Sequence, residues 1–147
     1  MRVRFICAVI LLLLACWLQF WFAGLGVSIN VIFATLIVCA FFFDIWELVA
    51  LILVGMLIIN WQPALSLELI LFALIPLAAF ALHHFFDSQP WIAAPVGIIC
   101  GLLILYVAIA PEIFLPHFIV FCEDVFGSLV WGVVVYSALA RLKNKNA

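Results

Sequence analysis

Residues 28–61 read SINVIFATLIVCAFFFDIWELVALILVGMLIINW, and the division of this stretch decides the fold. Its only charges are Asp44 and Glu47. As one helix it would run about 50 Å, at about 1.5 Å per residue. The hydrocarbon core of a bilayer is roughly 30 Å thick, and a spanning helix needs roughly 20 apolar residues. The stretch is too long for one span but serves for two short ones, Ser28–Phe43 and Leu48–Trp61. A tight hairpin at Asp44–Glu47 would join them, although Phe43-Asp44-Ile45-Trp46-Glu47 contains no Gly or Pro.

The flanking sequence is just as apolar. Hydrophobic residues make up 72% of the chain and charged residues 8%, against roughly 45–50% and about 25% in soluble domains. No water-soluble core could absorb that excess, so the lipid bilayer must solvate it. Phe5–Ala23 is a first span, broken by Gly24-Leu25-Gly26. Asn60-Trp61-Gln62-Pro63 is a turn. Leu67–Phe86 follows, with Ser66 as N-cap and Pro76 placed to kink it. Asp87-Ser88-Gln89-Pro90 is the next turn, Ile92–Ala110 a fifth span and Val125–Leu142 a sixth. Pro111–Asp124 reads as an acidic amphipathic or re-entrant stretch. The expected fold class is thus an all-α polytopic transmembrane bundle in a single domain, residues 1–147.

Charge placement supplies the topology. Arg2 and Arg4 precede the first span, Arg141, Lys143 and Lys145 follow the last, and no Lys or Arg lies between. Basic residues at span ends favour the cytoplasm, so both termini are expected inside and the span count must be even. Six spans satisfy this. Asp44–Glu47 then lies inside and Pro111–Asp124 outside. Met1–Ala15 also has the basic start and hydrophobic core of a signal peptide, but the apolar run continues through Trp17 to Ala23. Trp17, Trp21, Trp46, Trp61 and Trp91 fall near span ends, where indole rings favour the headgroup level; Trp131 does not. No basic stripe invites nucleic acid.

Ionisable residues in a membrane chain are the first place to look for function. Asp44 and Glu47, three apart, would share a helix face and make a cytoplasmic docking point or a solvated tip. Glu123 and Asp124 are docking candidates in the external stretch, beside Glu112 and His117. His83 and His84 are adjacent, about 100° apart on a helix, which is poor for chelating one metal. Glu68 suits a helix N-terminus. Asn30, Thr35, Ser128 and Ser137 lie within spans and should hydrogen-bond between helices. No catalytic constellation, cofactor motif or metal-ligand spacing stands out. Cys7, Cys16, Cys39, Cys100 and Cys122 lack CxxC spacing and read as small hydrophobes. Gly97-Ile98-Ile99-Cys100-Gly101, extended by Ala93, and the Ser128/Gly132 pair are small-residue helix-packing faces. They serve a packed bundle or a homodimer equally.

Six short spans with little outside them resemble the rod shape-determining protein MreD family. The residues carrying the resemblance are Ser28-Ile29-Asn30-Val31-Ile32-Phe33 and Phe43-Asp44: an Asn opening the second span and an Asp towards its end. Ile29 stands where that family usually has Pro, and Cys39-Ala40-Phe41-Phe42-Phe43 replaces a Gly-rich approach to the Asp. The resemblance implies a non-catalytic scaffold of the bacterial cytoplasmic (inner) membrane, serving cell shape and peptidoglycan elongation with an MreC-like partner. The architecture is also similar to the substrate-binding S components of energy-coupling-factor transporters, which implies a small-molecule binder as the alternative.

Overall fold

A computed structural model describes residues 2–27, 29–59, 66–86, 89–109, 111 and 118–145. These residues form six helices: α1 (Arg2–Gly24), α2 (Val31–Cys39), α3 (Ile45–Ile59), α4 (Leu67–Phe86), α5 (Pro90–Ile109) and α6 (Phe118–Lys145). No strand occurs among the described residues. Four segments are long and apolar enough to cross a bilayer: Val3–Gly24, Leu67–His84, Pro90–Ile109 and Phe118–Lys143. The chain is a helical membrane bundle.

The helices are not equivalent. α2 packs against every other helix, while α1, α3, α4, α5 and α6 pack in that cyclic order around it. All nine residues of α2 are buried. A helix that is apolar on every side belongs inside a structure, and here protein rather than lipid surrounds it. The outer helices turn large apolar side chains outward, among them Ile10, Leu57, Leu74, Leu103 and Val134. An exposed apolar surface of that extent needs lipid to cover it.

Helix directions follow from the contacts. Gln19 of α1 meets the start of α2 at Ile32, and Phe5 meets Phe43 beyond its end, with ring centroids 6.4 Å apart. These two helices are therefore antiparallel. α4 runs parallel to α2, since Phe72 packs on Phe33 and His83 on Phe41. So does α6, through Asp124 at Asn30 and Tyr136 at Phe42. α5 is antiparallel to α6, with Tyr106 on Phe121. The start of α1, the α2–α3 turn and the late part of α6 thus share one end of the bundle, hereafter the basic end.

Local chemistry explains the turns. α1 stops at Gly24, and just beyond it Gly26 has a left-handed φ of 76°, which suits glycine after a helix end. After Cys39 the backbone tightens: the N–H groups of Ala40, Phe41 and Phe42 reach back three residues, to Ile37, Val38 and Cys39. Such a contracted last turn satisfies the end of a helix without Gly or Pro. Phe41 and Phe43 are buried as the chain reverses, and Leu48 N–H to Asp44 C=O at 2.9 Å opens α3. Ser66 caps α4, its Oγ accepting the Leu69 N–H at 3.3 Å. Gln89 C=O receives the Ile92 and Ala93 N–H groups at the start of α5.

Three expectations need correction. The second apolar stretch, expected as a span over Ser28–Phe43, is helical only over Val31–Cys39. At about 14 Å this helix is shorter than the bilayer core, and protein rather than lipid encloses it. The hairpin falls at residues 40–44, just before the expected Asp44–Glu47. The stretch Pro111–Asp124, expected outside the spans, is partly helix: Phe118–Asp124 are the first turns of α6. Its remaining acidic and His residues, Glu112 and His117, lie outside the described residues, as do Trp61 and Asp87. α4 continues through Pro76, which is buried.

Candidate functional site

Thr35, Asp124 and Ser128 are the fully buried polar side chains among the described residues. They build two polar groups on the α2–α6 seam.

The first centres on Asp124. Its Oδ1 accepts the Asn30 backbone N–H at 2.7 Å and the Ser128 hydroxyl at 3.0 Å. Its Oδ2 accepts the Asn30 side-chain amide and the Tyr106 hydroxyl, the latter at 2.9 Å. An ionised carboxylate offers about four acceptor positions, and four donors from α5, α6 and the start of α2 occupy them. Burying such a group is costly unless it is fully hydrogen-bonded. Here it is.

This arrangement solves a problem created by the central helix. The first N–H groups of any helix have no partner within it, and α2 begins inside the bundle, away from water. Asn30 stands at its N-cap, but the Asn30 side chain makes no capping bond; it turns to Asp124 instead. Asp124 of α6 takes the Asn30 N–H, and Gln19 Oε1 of α1 takes the Ile32 N–H at 3.2 Å. The cap is supplied across the bundle by two other helices. A carboxylate there also complements the positive end of the helix dipole.

The second group lies one to two turns deeper. Trp131 Nε1–H donates to Thr35 Oγ1 at 2.8 Å, and that hydroxyl donates to Val31 C=O at 2.8 Å. Trp131 is therefore turned inward to a hydrogen bond, which accounts for its departure from the interfacial pattern of the other tryptophans.

The small residues also point at α2. A side-chain carbon added at Gly101 would come within 2.8 Å of the Phe33 ring and 2.9 Å of Ile75, and one at Gly97 within 3.1 Å of Ile37. At Gly132 the neighbour is Ile98, at 2.6 Å. Ala93 also packs against the core. These faces are occupied within one copy of the chain.

The docking candidates separate. Asp44 is exposed at the α2–α3 turn beside Trp46, which is 82% exposed, with Glu47 half-buried next to it. Glu123 is exposed near the start of α6. Asp124, expected on a surface loop, is buried and presents nothing to a partner. Ser137, expected to bond between helices, is exposed. Gln19, Tyr106 and Trp131 are the site residues that sequence reasoning missed. Among the described residues no three His, Cys, Asp or Glu side chains gather as a metal would require.

No family model matches this chain, and no curated protein or solved structure does either.

Proposed function

We propose that this protein is a non-catalytic multi-pass scaffold of the bacterial cytoplasmic membrane, resembling MreD and acting in cell-shape maintenance and peptidoglycan elongation. The supporting observation is the division of labour among its carboxylates. The buried one, Asp124, is saturated by internal donors and holds the bundle together. Asp44, at an exposed turn with Ile45 and Trp46, is left free to meet a partner. The two residues carrying the resemblance, Asn30 and Asp44, bracket the central helix: one stands at its N-cap position and the other opens α3. An acid beside an exposed indole suits a partner with a basic, aromatic-binding juxtamembrane segment.

In this reading the chain crosses six times and both termini are cytoplasmic. The alternating helix directions support an even count, and the segregated basic residues support the orientation. Co-purification of the tagged full chain from its host is the direct test. An MreC-like protein and envelope-assembly partners are expected, with Asp44→Ala reducing their recovery more than Glu68→Ala. Wild-type recovery with both variants would sink the docking role. Recovery of an ATPase module in place of envelope partners would replace the scaffold with a transporter S component.

A further inference from the structure

The outer wall of the bundle is not closed between α5 and α6. Ala94 and Pro95 on one helix and Gly132 on the other are too small to fill the gap, which leaves a cavity of about 200 Å³. Val38 of α2, fully buried, lies on its inner side. Trp91 and Val133, 61% and 59% exposed, flank its outer side. The lining is almost wholly apolar.

The cavity runs along the seam. α5 and α6 are antiparallel, and Gly132 is level with Ile98, so Tyr136 stands near the level of Ala94. From Tyr136 to Leu129, which also lines the cavity, is about 10 Å of helix at about 1.5 Å per residue. Its two ends differ. Trp91 begins α5 and Tyr136 lies late in α6, so both stand towards the basic end. Arg141 and Lys143, both exposed, follow one to two turns beyond Tyr136. Trp and Tyr collect at the headgroup level, and the Trp91 indole N–H is held by Gln89 Oε1 at 2.8 Å. The groove therefore starts at an aromatic interface and runs into the hydrocarbon depth. Water gains little there, because it needs polar partners. Left empty, the lining would forfeit dispersion contacts. A helix, about 10 Å across, cannot enter a space of this volume; a single slender chain can.

We propose that the α5–α6 groove holds one acyl chain of a phospholipid from the leaflet at the basic end. Its ester linkage lies beside Trp91 and Tyr136, and the chain runs inward past Gly132 to Leu129.

Photo-crosslinking of the full chain in phosphatidylcholine vesicles tests this. The probe is phosphatidylcholine carrying a diazirine at a shallow or a deep acyl carbon, with labelled peptides located by mass spectrometry. Labelling is expected to concentrate on residues 91–98 and 129–136 over other exposed wall positions such as Leu57 and Leu74. The shallow probe should favour Trp91 and Tyr136, and the deep probe Ile98 and Leu129. Val133→Trp, which fills the groove from an exposed position, should lose most of this labelling with unchanged far-UV circular dichroism. Val133→Ala should keep it, and so should Val134→Trp, which is also exposed but does not line the groove. Even labelling of the whole outer wall would overturn the proposal, as would wild-type labelling of Val133→Trp or an equal loss in Val134→Trp. Cross-links from residues 91–98 to a second chain in place of lipid would overturn it in favour of a second copy. Full displacement of the probe by oleate would overturn the phospholipid as the source of the chain.

Discussion

At the scale of single residues, Asp124 carries the most. Asp124→Ala would strand the Asn30 N–H, the Asn30 amide and the Tyr106 hydroxyl in a dry setting, at a cost of about 3 kcal/mol. Asp124→Asn should cost less, because one oxygen remains for the Asn30 N–H and the Tyr106 hydroxyl can turn to accept. Thermal unfolding in detergent should rank them wild type, Asn, Ala; an Ala variant as stable as wild type would refute the capping role. Thr35→Val should cost about 1 kcal/mol by leaving the Trp131 N–H unpaired, checked by the same unfolding and by the tryptophan emission wavelength. Part of this was legible. Asn30, Thr35 and Ser128 stand out as polar residues in apolar runs. Asp124 misleads because Glu123 beside it makes the pair look like a loop. Its spacing tells more: Phe121, Asp124, Ser128, Gly132, Val135 and Leu139 continue one helix face at three- and four-residue steps. Gln19 and Tyr106 carry no comparable signal, since their partners lie on other helices.

At the scale of elements, α2 is the unusual one. It is only nine residues long, and helices that short are marginal alone. Packing on all sides and the borrowed cap hold it. The close approaches around it predict unequal responses to the same substitution. Gly101→Ala places a carbon against the Phe33 ring and Ile75. Overpacking of that kind costs about 1–3 kcal/mol, only partly offset by the roughly 1 kcal/mol helix preference of Ala over Gly. Gly132→Ala meets only the terminal methyl of Ile98, which a change of side-chain torsion can move aside, and should be near neutral. Equal melting temperatures for the two variants would contradict the placement of α5 against α2. The central position of α2 was hidden in the sequence for a physical reason. In a soluble protein a helix apolar all round is a buried helix. In a bilayer the lipid-facing helices are apolar as well, so the pattern of Val31–Cys39 does not distinguish centre from periphery.

At the scale of the whole molecule, five helices shield one from the lipid. Reporter fusions should place both termini on the same, cytoplasmic side; an external C-terminus would break the even count. α3, about 22 Å long at 15 residues, is shorter than the roughly 30 Å core. It adjoins the exposed Asp44–Trp46 turn, where the docking surface is proposed. Short helices are matched by local bilayer thinning or by association, and either would favour a partner there.

The amino-acid sequence by itself determined the medium and the class. With this apolar content and with its basic residues confined to the ends, the chain must lie in a bilayer, and its continuous apolar runs suit helices rather than the alternating strands of a barrel. The over-long stretch at residues 28–61 had to be divided, because no helix of that length fits the membrane. Only the tertiary structure decided that its first half is a short helix at the centre of the bundle, enclosed by protein rather than lipid. It also decided that Asp124 is an internal cap rather than a surface acid, and that Trp131 faces inward. Those outcomes depend on which helices meet, and local apolar pattern does not encode that where lipid and protein interior favour the same side chains.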